Sequence, residues 1–200
     1  MHISDGVVPT SVWIGSYVVT IGISTICAKK MKAEDMPKMA VMTSAFFVAS
    51  LIHVPLGPTS VHLILNGLVG IILGPLSFIS ILVGLTLQSL LFQHGGITVI
   101  GVNTITMGIP ALFSWKIFNL SQKFRFRLSK IVFGVIAAAF SVFLGTILLS
   151  IFLITSGSKF IPVAKYAALA HLPIMIIEGI ITGFVISFLM KVKPEILKRG

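Results

Sequence analysis

The first residues, MHISDG, place a primary amine, the amide nitrogen of His2 and the His2 imidazole within two positions of one another. With Met1 retained and its amine free, these three nitrogens can close fused five- and six-membered chelate rings on one metal ion. The bulky second residue, His2, disfavours removal of Met1. The amide nitrogen binds only after losing its proton. That requirement favours d-block ions that gain from four in-plane nitrogens, such as Ni(II), Cu(II) or Co(II). Zinc prefers a tetrahedron, and Mg or Ca prefers oxygen. One in-plane position stays open, and a histidine from elsewhere, such as His62, can fill it.

The other ionisable candidates in apolar surroundings are His53, His94, His171 and Glu178. Such groups are costly at bilayer depth and mark function. His62 sits in PTSVHLILNGLVGIILGP, at the start of an apolar segment. Asn66 follows four residues later, on the same face if the segment is helical. His53 precedes Val54-Pro55 at the end of another apolar segment and reads as an interfacial residue. His94 opens HGGITVIGVN, whose glycines suit irregular backbone lining a cavity. The stretch 94–103 is therefore a candidate gate. His171 and Glu178, seven apart, share one face of the last apolar segment and read as a structural pair or outer support for a ligand. The sequence contains no HExxH and no defensible Ser-His-Asp set. Asp5 and Glu178 are the only carboxylates outside the basic segments, so paired-carboxylate catalysis is poorly supported.

The elements that hold these groups follow from composition. Of 200 residues, 56% are hydrophobic and 10% charged, and the mean hydropathy is +1.09. Soluble domains carry about 25% charged residues, and a chain this small cannot enclose so much apolar surface in one aqueous core. The lipid bilayer is the expected solvent. Seven apolar segments are candidate spans: 8–28, 39–54, 60–75, 76–93, 100–115, 131–155 and 167–190, in a single domain covering 1–200. Gly74-Pro75 is the only punctuation between 60 and 93 and should end one helix or start the next. No basic region precedes the first apolar run, so that run is expected to be retained as a span rather than cleaved as a signal peptide. The pairs Gly70–Gly74 and Gly179–Gly183 permit close helix contact.

The net charge of +10 does not suggest nucleic acid, because the basic residues lie between apolar runs. With the amino terminus outside, 13 of the 15 Lys and Arg residues fall on the cytoplasmic side, leaving only Lys159 and Lys165 outside. The positive-inside rule therefore predicts an outer amino terminus, a cytoplasmic carboxyl terminus and an odd number of spans. Cys27 is the single cysteine, which excludes an internal disulfide and cysteine-based clusters. There is no P-loop, so this chain does not itself use ATP by the usual route.

Four separated stretches carry a resemblance: MHISDG, FFVASLIHVPLGPTSVHLILNGLVGIILG, HGGITVIGVNTITMG and HLPIMIIEGIITGFVISFLMKVKPEIL. Together they resemble the CbiM/NikM family, substrate-specific membrane components of energy-coupling-factor transporters for cobalt and nickel. The resemblance implies an all-α membrane fold of about seven helices in a prokaryotic cell membrane, with the amino terminus inserted into the bundle. It implies a transported Co(II) or Ni(II), with cobalt favoured, held by Met1, His2 and His62. It places Ser60, Asn66, His94 and Asn103 around that pocket or in its gate. It implies no permanent cofactor and no catalysis by this subunit. The implied partners are a transmembrane coupling subunit, two ATPase subunits and a small accessory membrane protein. Two rival readings are a stand-alone carrier or channel for another solute and an intramembrane metalloenzyme.

Overall fold

The computed structural model describes residues 1–124, 126 and 128–198; Arg125, Arg127 and Arg199, three of the basic residues used to orient the chain, lie outside it. Among the described residues, seven α-helices and one hairpin follow an extended amino-terminal segment. The helices are α1 (Thr10–Ala28), α2 (Met36–Ala49), α3 (Asn66–Leu73), α4 (Ser77–Phe92), α5 (Ile100–Leu120), α6 (Ser129–Thr155) and α7 (Ile161–Val192). Between α2 and α3 lie β1 (His53–Leu56) and β2 (Thr59–His62).

Four helical stretches are long and apolar enough to cross a membrane: Thr10–Ala28, Asn66–Phe92, Ser129–Thr155 and Ser158–Val192. Large side chains such as Val18, Ile52, Leu90, Phe184 and Phe188 stay exposed, as expected of surfaces that meet lipid. All eight residues of α3 are buried. A helix that is apolar all round belongs in the middle of the bundle. Its glycines allow this: a Cβ on Gly67 would lie 2.6 Å from Ala138 Cα, and one on Gly70 would lie 2.1 Å from the Ala111 carbonyl oxygen.

Three expectations are corrected here. The segment 60–75 is not a helix throughout. It starts as β2 and becomes helical only at Asn66, leaving α3 about 12 Å long. The segment 39–54 likewise ends its helix at Ala49. The sequence between, HVPLGPTS, holds two prolines and a glycine; Gly57 takes φ 57°, and prolines end helices. His62 and Asn66 therefore do not share a helix face. Thirdly, the stretch 94–103 is loop only as far as Val99, and Asn103 sits in the first turn of α5. The Gly74-Pro75 break is as expected, a short 3-10 turn over Gly74–Leu76. The two glycines Gly179 and Gly183 do face α6, against Val135.

The hairpin, the loop 93–99 and the amino-terminal segment lie together. Ile3 bridges to Thr59, Ser4 N–H donates to the Pro58 carbonyl and Asp5 N–H to the Gly95 carbonyl. Irregular backbone is tolerated in such a bundle only where protein satisfies its polar groups.

Candidate metal centre

Met1 and Ile3 have no solvent exposure, and His2 has 2%. The amino terminus is thus inserted into the bundle. Asn103 holds it there. Ile3 N–H donates to Asn103 Oδ1 at 2.8 Å, and Asn103 Nδ2 donates to the Ile3 carbonyl at 3.1 Å. The Met1 side chain reaches α6, where a Cβ on Gly145 would come within 2.8 Å of Met1 Sδ.

Three nitrogens converge at this point. The Met1 amine lies 2.7 Å from His62 Nε2, and His62 Nε2 lies 2.9 Å from His2 Nδ1. The outward nitrogens of both rings are engaged. His2 Nε2 lies 2.8 Å from Gln88 Oε1, which can only accept. His62 Nδ1 lies 2.6 Å from the Leu63 carbonyl oxygen, also an acceptor. Both of those nitrogens therefore carry the proton, and His2 Nδ1 and His62 Nε2 present lone pairs toward one another. Facing lone pairs repel unless a cation or a proton lies between them.

The two distances are those of neighbouring donors around one ion. For metal–nitrogen bonds of about 2.0 Å, neighbouring donors in a plane lie about 2.8 Å apart. In a chelate running from the Met1 amine through the His2 amide to His2 Nδ1, the fourth donor neighbours both chain ends. His62 Nε2 lies at such a distance from both the Met1 amine and His2 Nδ1.

His94 closes the cluster. Ligating atoms of His2, His62 and His94 lie within 4.8 Å of one another. The His94 ring centroid is 3.9 Å from that of His2, and His94 Nε2 is 3.1 Å from Ser60 Oγ. These groups lie outside the spanning helices. Burial pushes the Met1 amine and the His2 and His62 imidazoles well below their ordinary ranges. Burial, and then the neighbouring His53, lowers His94 to about 4. All four nitrogen bases are thus held uncharged near neutral pH, the form that binds metal.

Three expected placements do not match the geometry. Glu178 and His171 take separate partners. Glu178 Oε1 accepts from the backbone N–H groups of Ile64 and Leu65, and His171 Nδ1 donates to the Ala167 carbonyl at 2.7 Å. Glu178 thereby fixes the turn that follows His62, where Leu65 adopts φ 56°. Asn66 is buried, but its Nδ2 donates to the Met107 carbonyl at 3.2 Å, tying α3 to α5. His53 is not at a helix end; it pairs in register with His62 across the hairpin. Gln88 was not singled out from sequence, and Asp5 was noted there only as a carboxylate. The signal for Gln88 was a lone amide in the apolar run SFISILVGLTLQSLLF. Asp5 accepts from the Thr98 N–H at 3.0 Å and from its hydroxyl.

Comparison with known proteins converges on one family. Residues 2–196 match the family described as CbiM, cobalt uptake substrate-specific transmembrane region. A Haemophilus influenzae protein named for metal transport is 34% identical over 201 residues, covering 100% of this chain and 98% of the relative. The cobalt transport protein CbiM of Clostridium tetani is 30% identical over 208 residues, covering 96% and 85%. The crystal structure of a truncated transition metal transporter superposes with a TM-score of 0.77 at 26% identity, covering 96% of this chain and 99% of the other. With the apolar helices, these matches make the chain a multi-pass membrane protein of metal transport, and it belongs to the CbiM family of cobalt uptake substrate-specific transmembrane proteins.

Proposed function

We propose that this chain is the metal-capturing component of an energy-coupling-factor importer, and that its cargo is Co(II), with Ni(II) the close second. The Met1 amine, the His2 amide nitrogen, His2 Nδ1 and His62 Nε2 hold the ion in a plane. The observation that carries this reading is the position of His62 Nε2, 2.7 Å from the Met1 amine and 2.9 Å from His2 Nδ1. The pocket is nearly closed to solvent, so nitrogen donors replace the ion's lost hydration. Gln88 and the Leu63 carbonyl fix the ring tautomers, as outer partners of metal-binding histidines do.

The family's description, cobalt uptake, favours cobalt over nickel; the fused nickel transport protein named NikMN in Archaeoglobus fulgidus, 26% identical over 211 residues, keeps nickel close. Lys30 and Lys116 share a cleft with Pro75, at the end of α1 remote from the amino-terminal segment. That separation supports an outer metal pocket and a basic cytoplasmic end. The ion enters from outside and leaves inward when a coupling subunit and two ATPase subunits, with a small accessory membrane protein, drive a rearrangement. The loop 93–99, latched to the amino-terminal segment through Asp5, is the gate. The segment 116–130 contacts the partners.

Calorimetric titration of Co(II) and Ni(II) into protein with a free Met1 amine, and into protein with residues added before Met1, tests this reading. Tight binding by the first and its loss in the second is expected. Equal affinity would show that the amine is not a ligand. Uptake by cells that lack the ATPase subunits would instead identify a stand-alone carrier.

A further inference from the structure

The hairpin does more than present His62. Residues directly opposite on paired strands carry their side chains on the same face, and His53 is opposite His62. His62 is buried, whereas His53 is exposed. The half-buried His94 spans the interval. Its ring centroid is 4.3 Å from that of His53, 3.9 Å from that of His2 and 5.7 Å from that of His62. A cleft of about 330 Å³ follows the same line, with His53 at its rim, His94 and Ser60 on its wall and His2 at its floor.

We propose that His53 and His94 form an outer metal-transfer site, through which the divalent ion passes, imidazole by imidazole, into the Met1/His2/His62 pocket; this rests on the metal-capture reading above.

The chemistry of each ring fits. His53 Nδ1 lies 3.3 Å from the Leu51 carbonyl oxygen and so carries the proton, leaving Nε2 as a lone pair at the exposed rim. His94 Nε2 lies 3.1 Å from Ser60 Oγ, a hydroxyl that both donates and accepts, so this contact suits either neutral tautomer and one ring nitrogen is a free base in each. Neutral imidazole suits Co(II), Ni(II) and Cu(II). The stacking of His53 on His94, with planes 25° apart, does not chelate an ion at rest. It offers successive single ligands, each replacing one water. The ion is thereby stripped in steps rather than in one costly transfer from water to a closed pocket. The floor of the cleft needs room for this approach, and Gly95 supplies it: a Cβ there would lie 2.9 Å from Asn103 Nδ2 and 3.4 Å from His2 Cδ2.

A passage residue changes rates in both directions without changing the end state, and this separates it from a ligand. Ni(II) is mixed with full-length protein bearing a free Met1 amine, and the absorbance band of the nitrogen-bound ion is followed in time. A chelator then withdraws the ion. His53→Ala is expected to slow both association and withdrawal by about tenfold, leaving Kd within about twofold, since the two rates set Kd together. His53 is exposed, so this variant keeps its fold. Unchanged rates in His53→Ala overturn the proposal, as does a weaker Kd with an unchanged association rate. Cu(II) provides a readout independent of the chelate. Protein carrying His62→Ala and residues before Met1 lacks the deep pocket. It is expected to retain a weak Cu(II) site with imidazole nitrogen couplings in its electron paramagnetic resonance spectrum, reduced by His53→Ala and by His94→Gln. Absence of those couplings, or their persistence in both substitutions, overturns the outer site even where the deep site binds normally. Absence of the Ni(II) band in the unaltered protein defeats the capture reading instead.

Discussion

Asn103 pairs with both backbone groups of Ile3, its Oδ1 accepting from the Ile3 N–H at 2.8 Å and its Nδ2 donating to the Ile3 carbonyl at 3.1 Å. This side chain replaces a strand partner for the amino-terminal segment. It is nearly fully buried and stands in the first turn of α5. That pair fixes the backbone leading to His2 and Met1, which His62, Gln88 and the Gly145 seat then hold.

Replacing Asn103 by Ala should therefore weaken metal binding although Asn103 touches no metal. Outer partners of this kind are worth about 10–100-fold in affinity. Asn103→Asp keeps the acceptor and loses the donor to the Ile3 carbonyl, so it should fall between. Calorimetric titration measures both. Affinity unchanged in the Ala variant would mean the chelate holds its own shape.

His62→Ala should cost far more affinity than His53→Ala. The first removes the group nearest both the amine and His2. A loss of about 3 kcal/mol or more, on the order of 100-fold, is expected for His62. His53→Ala should leave the equilibrium affinity within about twofold, as required of a residue that only passes the ion. Comparable losses in the two would identify the wrong histidine as the ligand.

Acid should act through protons as well as through the fold. The Met1 amine, His2 and His62 are held below their ordinary values, so in the folded protein they stay unprotonated at pH values where free groups would be charged. For His94 the window runs from 6.5 in the unfolded chain to about 4 in the folded one. Within it the unfolded chain binds the extra proton, so stability falls as pH drops through 6.5 and levels off below about 4. Because the amine and both imidazoles are already uncharged near neutral pH, metal binding there should release about one proton per ion, the one on the His2 amide nitrogen, and affinity should weaken as pH falls. Calorimetry in buffers of differing ionisation enthalpy counts those protons. A count near zero at pH 7 would show that the His2 amide nitrogen keeps its proton and is not a ligand.

Gly145→Val should expel the Met1 side chain from its seat on α6. Even a Cβ would come within 2.8 Å of Met1 Sδ and 3.1 Å of the Thr106 carbonyl. Overpacking of this sort costs about 1–3 kcal/mol, and here it is placed where the amine must be positioned. Metal affinity should drop more than thermal stability does. A loss of stability with affinity intact would show that α6 gives way instead of Met1.

Glu178→Ala should destabilise the turn after His62 by about 2–3 kcal/mol, because two buried N–H groups lose their acceptor. Glu178→Gln keeps an oxygen for Ile64 and Leu65 and should recover most of that loss. Thermal melting of the two variants in one detergent compares them.

The donors proposed for Met1 and His2 could be named from sequence because they depend on residue type near the terminus and need no tertiary contact to be chosen. The break at Gly74-Pro75 was legible for a similarly local reason. The hairpin was not. β2 (Thr59–His62) is buried throughout and runs on into the apolar stretch of α3, and so short a buried segment has no period that separates strand from helix. The hairpin's two prolines and Gly57 were the available signal. Glu178 was read against His171 because both lie on α7, whereas its partners, Ile64 and Leu65, are more than a hundred positions away. Gln88 was overlooked for the same reason: its meaning comes from His2, which sequence distance hides.

The enclosed amino terminus also orders the events of folding. Residues 1–5 pack against the hairpin, α5 and α6, at separations of roughly 60 to 145 positions. Contacts so distant are slow to form, since a large loop must close before they contribute. When the ribosome has made α1, residues 1–5 still have no surface to rest on. They must wait, solvated or lying along lipid, until the Gly145 seat on α6 has been synthesised. The first residues of this segment to be made are thus among the last to find their place, and enclosure of Met1 marks the completion of the bundle.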